Sequence, residues 1–218
     1  MRRAAVAVCL AAAATACGGG ASVGDRVAAS VVRLAGEVCG VPLFAGGVMV
    51  DEGLVLTAAH VVAGAEGPLE VRLGSGGSRP AAIVGFDPDR DLAALAVTGL
   101  DSVAVQVADG VAGEPGMIVS FSRDGTRTDT PFVVERQISA TGEDIYGEGD
   151  VSRQALELAA EIEPGMSGAG AFDDDGDLVG LVFAESRGRP ITYAVAAIEL
   201  RSFLATIDPS ITVDSGHC

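Results

Sequence analysis

From residue 30 onward the chain is a succession of short apolar segments, each closed by Gly, Pro or Asp. Ser30–Ala35, Ala45–Val50, Leu54–Thr57, Leu69–Leu73, Arg79–Gly85 and Leu92–Val97 form a first set. After Gly113-Glu114-Pro115-Gly116 comes a second: Met117–Phe121, Phe132–Thr141, Ala155–Glu161, Gly170–Phe172, Asp177–Ala184 and Ile191–Val195. Segments this short, punctuated in this way, read as β-strands. So many short strands would leave long unpaired edges in open sheets, and closure removes them. The reading is therefore an all-β fold of two packed six-stranded antiparallel β-barrels, over about residues 28–108 and 113–196. Ala197–Ile207 has apolar residues at helical spacing and is predicted to be a C-terminal helix, followed by a short tail to residue 218.

Three motifs lie on this frame. Leu56-Thr57-Ala58-Ala59-His60 closes the third segment, Asp89-Arg90-Asp91 precedes the sixth, and Glu163-Pro164-Gly165-Met166-Ser167-Gly168-Ala169-Gly170 leads into the tenth. A serine hydroxyl is a weak nucleophile at neutral pH and needs a base to take its proton. Imidazole suits that task, and a buried carboxylate fixes its tautomer and stabilises the imidazolium. Any one motif alone is an ordinary turn or a structural histidine. His60 is one of only two histidines, however, and the three motifs stand in order at separations of 31 and 76 residues. Asp87 and Asp89 compete with Asp91, which is preferred because it immediately precedes the apolar run Leu92–Val97. An α/β-hydrolase elbow is excluded: it needs Gly-x-Ser-x-Gly with the histidine last, whereas position 169 is Ala and His60 comes first.

The order His60, Asp91, Ser167 resembles that of the trypsin-like (chymotrypsin-fold) serine endopeptidases, most closely the compact bacterial HtrA-type and actinobacterial periplasmic branch, over residues 28–218. The resemblance implies chymotrypsin-like barrels with the triad across their junction, and no PDZ domain. It implies an oxyanion hole from the backbone N–H groups of Gly165 and Ser167. Counting back from the serine, it places Glu161 and Ile162 at the primary substrate pocket, with Phe183, Ala184 and Glu185 on one wall and Ile191 on the other. The Glu161 carboxylate at the base would favour basic side chains, whereas Ile191 would fill part of that pocket and favour small or medium apolar ones, the preferred reading. Two positions depart from the family pattern. Met166 replaces the aspartate that pairs with a cut N-terminus in digestive relatives, so activation by N-terminal insertion is not expected. Ala169 replaces a glycine.

Residues 1–16 have the form of a secretion signal: Arg2 and Arg3, an apolar run, then Ala14-Thr15-Ala16 before Cys17. The run is too short for a permanent membrane span. Cys17 with Gly18-Gly19-Gly20 resembles a lipoprotein box and tether, so Cys17 is the expected lipidation site, residues 17–27 the tether, and residues 28–218 the peptidase domain. Simple secretion is the alternative. Of four cysteines, Cys9 lies in the leader and Cys17 carries lipid, which leaves Cys39 and Cys218 as one pair expected to bond in an oxidising compartment. Relatives in the actinobacteria resemble this pattern.

Without Arg2 and Arg3 the chain has 12 basic against 30 acidic residues, a surface that disfavours nucleic acid and anionic lipid. The run Asp173-Asp174-Asp175-Gly176-Asp177 lacks calcium-loop spacing and reads as a solvated hairpin turn. The expectation is an exported serine endopeptidase at the cell envelope, acting on polypeptides in stress response, quality control or processing. It needs no cofactor or metal and touches the membrane only through Cys17. A catalytically silent binding protein of the same fold is the alternative.

Overall fold

The computed structural model describes residues 21–218 apart from 75, 101, 102 and 123, so the leader and Cys17 lie outside the described residues. Twelve strands form two closed barrels. β1 (Val31–Val38), β2 (Val41–Asp51), β3 (Leu54–Thr57), β4 (Leu69–Leu73), β5 (Ser78–Asp87) and β6 (Leu92–Val97) close in the order β1-β2-β3-β6-β5-β4. β7 (Pro115–Phe121), β8 (Arg127–Glu143), β9 (Asp150–Ala159), β10 (Gly170–Asp173), β11 (Leu178–Glu185) and β12 (Ile191–Ala196) close as β10-β11-β12-β9-β8-β7. Neighbouring strands are antiparallel throughout, as from Val31↔Val48 to Val38↔Val41.

Alternation along the strands sends side chains to two kinds of core. Leu34, Met49, Val55, Val71 and Leu95 fill the first barrel; Ile118, Leu156, Leu158, Ala171 and Val182 fill the second. A third cluster, including Leu56, Leu92, Phe121, Phe172, Leu181 and Phe203, draws on both barrels and the C-terminal helix α2 (Ala197–Leu204). α2 buries Leu200 and Phe203, one turn apart, and ends three residues earlier than its apolar pattern predicts.

Two features differ from the sequence expectation. Within the segment expected to be a tether, Val23–Val27 form a short helix, α1. The Ser22 hydroxyl accepts the Asp25 N–H and the Asp25 carboxylate accepts the Ser22 N–H, a reciprocal cap that satisfies two otherwise orphaned donors. Val27 then buries itself in the shared core. The β8–β9 hairpin is also longer than predicted: its outer part, Thr141–Glu143 against Asp150–Ser152, continues the ladder to Glu143↔Asp150. Polar residues there masked the strand signal. The acidic run is the β10–β11 turn, with the Asp173 carboxylate accepting the N–H groups of Asp175 and Asp177.

Candidate active site

His60 occupies a single 3-10 turn, Ala59–Val61, directly after β3. Asp91 ends the β5–β6 turn with φ of 57°, a left-handed backbone that aspartate tolerates better than most residues. The two side chains meet. His60 Nδ1 lies 2.8 Å from Asp91 Oδ2 and 3.0 Å from Oδ1, and the backbone N–H of His60 also donates to Oδ1 at 2.9 Å. Asp91 is almost fully buried, its side chain 5% exposed, while His60 is 33% exposed. With Nδ1–H donating to the carboxylate, this network assigns the lone pair of the neutral ring to Nε2. Asp87 and Asp89 are occupied elsewhere. Asp87 pairs with Arg90, and Asp89 lines a separate recess with Arg90 and Glu199.

Ser167 is framed by two consecutive turns. Met166 N–H donates to the Glu163 carbonyl at 3.2 Å, and Ala169 N–H to the Met166 carbonyl at 3.0 Å. Each turn has glycine in its third position at positive φ: Gly165 at 101° and Gly168 at 78°. Pro164 before Gly165 supplies the pairing that a type II turn prefers. Gly168 has a second constraint, because a Cβ there would run into the Gly46 carbonyl and the Thr57 hydroxyl.

Ser167 is also tied to the first barrel. Its carbonyl accepts the Gly46 N–H at 2.9 Å, and the Gly46 carbonyl accepts the Thr57 hydroxyl at 2.8 Å, three residues before His60. From the other side, Gly168 N–H donates to the Val182 carbonyl at 2.8 Å. Met166 is 5% exposed and packs inside the second barrel beside Ala160, Ile162 and Ala169. An apolar side chain at that position is thus anchored by burial.

A cavity of about 270 Å³ opens beside the dyad, lined by His60, Asp91, Glu143, Asp144, Ile145, Arg153 and Phe183. Of the six residues expected at the substrate pocket, only Phe183 is among this lining. Ile162 packs in the second barrel, Ile191 is buried on β12 opposite Ala159, and Ala184 faces Tyr193 at a bulge in β11. Glu161 and Glu185 are exposed. Asp144 is held below the ordinary carboxylate range, chiefly by the N–H of Glu148. Arg153 escaped the sequence reading because it sits among polar residues. Its one signal is parity with Ala155 and Glu157, all three buried on the same face of β9.

Cys39 and Cys218 are joined in a disulfide with Cα atoms 5.7 Å apart. The tail beside it lies along the segment that follows His60: Gly64 N–H donates to the Ser215 carbonyl and Ala65 N–H to the Ser215 hydroxyl, both at 3.1 Å. His217 stacks on Tyr146 at the tip of the β8–β9 hairpin, with ring centroids 4.1 Å apart. Among the described residues no group of three or more His, Cys, Asp or Glu side chains is placed to hold a metal ion, and no helix is long and apolar enough to cross a membrane.

The comparisons agree with this architecture. The Trypsin-like peptidase domain profile matches residues 45–181. Serine protease Rv3671c of Mycobacterium tuberculosis is 31% identical over 178 residues, covering 79% of this chain and 44% of that protein. A probable periplasmic serine endoprotease, DegP-like, of Marinomonas sp. is 33% identical over 144 residues, 64% of this chain and 29% of its own length. The chain thus spans less than half the length of these relatives. The active form of the M. tuberculosis Rv3671c protease superposes with a TM-score of 0.85 at 29% identity, covering 90% of this chain and 88% of that one. An inactive form gives 0.74 at 29%, over 85% and 92%. With the profile spanning most of both barrels and the matched relatives sharing sequence and fold, this chain belongs to the trypsin-like peptidase domain family.

Proposed function

We propose that the chain is a serine endopeptidase that cleaves peptide bonds with His60, Asp91 and Ser167. The observation that carries this reading is the contact of His60 Nδ1 with both oxygens of a buried Asp91, made by a side chain that is itself one-third exposed. Asp91 fixes the tautomer and stabilises the imidazolium as it forms; His60 takes the Ser167 proton during attack on the carbonyl and returns it to the leaving amine. The N–H groups of Gly165 and Ser167 receive the developing oxyanion, Gly165 being presented by a turn that only its positive φ permits. Removing one such donor costs about 10²–10³ in rate. The higher similarity to the active than to the inactive form of the mycobacterial relative supports a site arranged as in an active protease. Burial of Met166 supports the same reading, since no N-terminal amine is needed to hold this loop.

The remaining expectations follow as proposals. The protein is exported, with residues 1–16 as its signal and Cys17 as its lipid anchor, and it acts on polypeptides at the cell envelope in stress response, quality control or processing. The primary pocket lies among Glu161, Ile162, Phe183, Ala184, Glu185 and Ile191, and buried Ile191 favours small or medium apolar side chains there. The deciding experiment is labelling of the purified protein with a fluorophosphonate probe. Labelling at Ser167 that disappears in Ser167→Ala supports the enzyme. A folded wild type that stays unlabelled leaves a silent binding protein instead.

A further inference from the structure

The geometry points to Arg153 as a positioning residue that acts through Asp91 to keep His60 in its neutral, proton-accepting form. The inference rests on the triad reading above. Arg153 comes from β9 of the second barrel, whereas Asp91 belongs to the first, so the pair bridges the junction. Its side chain is only 7% exposed, and Nη1 stands 4.0 Å from Asp91 Oδ2. Nη2 donates to the Glu143 carbonyl at 3.4 Å, and the guanidinium carbon lies 5.3 Å from the centre of the Phe183 ring. Three separate elements therefore aim one buried cation at the carboxylate. Burying an arginine is costly unless its charge is matched, and here the facing charge is Asp91.

The charges around His60 give the reason. The cavity at His60 has one cation in its lining, Arg153, and the carboxylate that touches the ring is Asp91; the Asp144 carboxylate is turned into its own loop, where it accepts the N–H groups of Tyr146 and Glu148. A buried carboxylate against the ring with no cation beside it favours the imidazolium, which cannot accept the Ser167 proton. A fixed guanidinium beside Asp91 opposes that protonation and also holds the carboxylate turned to Nδ1. Phe183 covers one face of the guanidinium, so water screens the charge less than at an exposed site.

The test uses the rate of fluorophosphonate labelling at Ser167 as a function of pH, which requires no knowledge of the substrate. Arg153→Met should move the acid limb of the labelling rate upward by about half to one pH unit, that is, about three- to tenfold slower labelling on that limb. Arg153→Lys, which keeps the charge, should return the limb most of the way to wild type. Arg153→Gln, a neutral polar replacement, should move it the same way as methionine and serves if Arg153→Met does not fold. An unshifted limb in folded Arg153→Met or Arg153→Gln, or a lysine variant that behaves like methionine, would each overturn the inference. Absence of labelling in the wild type would overturn the triad reading instead.

Discussion

The backbone N–H of Gly46 donates to the carbonyl of Ser167 at 2.9 Å, so the serine on the second barrel is held in register by a strand of the first. The Thr57 hydroxyl completes the link by donating to the Gly46 carbonyl at 2.8 Å. Gly46 and Thr57, which supply no reacting atom, thereby tie the serine loop to the segment that carries His60.

Thr57→Val keeps the shape of the side chain but leaves the buried Gly46 carbonyl without its hydroxyl donor. The expected loss is about 1–3 kcal/mol, read as a lower urea midpoint at unchanged slope. Labelling at Ser167 should slow in the same variant, because the serine loop loses its tie to the His60 segment.

Gly168→Ala should be worse. The new Cβ meets the Gly46 carbonyl and the Thr57 hydroxyl, and the backbone φ of 78° disfavours alanine in any case. Activity should fall at least about a hundredfold, the scale on which small displacements in a catalytic site are felt. Wild-type labelling of a folded Gly168→Ala protein would show that the loop can relax without harm.

His60→Ala and Ser167→Ala should each reduce peptidase activity by several orders of magnitude, and the double variant should be little worse than either. Residues that act as a unit lose their effect together. Losses that multiply would mean that one of the two is wrongly assigned.

Glu157 on β9 is buried between Arg136 at 2.7 Å and Arg189 at 3.4 Å, and its carboxyl is held below the ordinary range, first by the hydrogen bond from Arg136. A depressed value in the folded state means stability that is full above the unfolded value, about 4.3, and is lost as pH falls through the folded one. Glu157→Gln should therefore lower stability at neutral pH and flatten its fall between about pH 5 and 3. Urea midpoints across that range check the sign.

Cys39→Ser or Cys218→Ser should lower stability by up to about 4–5 kcal/mol in the chain-entropy treatment of so long a loop. The tail should also become open to proteolysis, because its packing rests on few apolar groups. Mass spectrometry of the non-reduced digest should give a linked peptide containing both cysteines.

Much of this was legible in the chain. All twelve strands announce themselves as apolar segments because each must bury one face inside a barrel. The turn at Glu163–Met166 announces itself through Pro164-Gly165, residues that favour its backbone. The outer β8–β9 hairpin was not legible, because its side chains face solvent or the cleft and carry no apolar alternation. Arg153 was hidden for the same reason: its burial comes from Phe183 and Asp91, distant in sequence, and not from its neighbours. α1 was obscured by its length, its stability coming from the Ser22–Asp25 cap and from Val27 in a core that the sequence cannot place.

The Cys39–Cys218 bond joins residues 179 apart and encloses nearly the whole of both barrels in one covalent ring. A single backbone break anywhere within that ring, whether by another protease or by a second copy of this chain, opens the circle without releasing a fragment. The nicked molecule would run as one species until a reductant was added, then as two. Damage of this kind would go unseen in an intact-mass profile except for the added mass of one water.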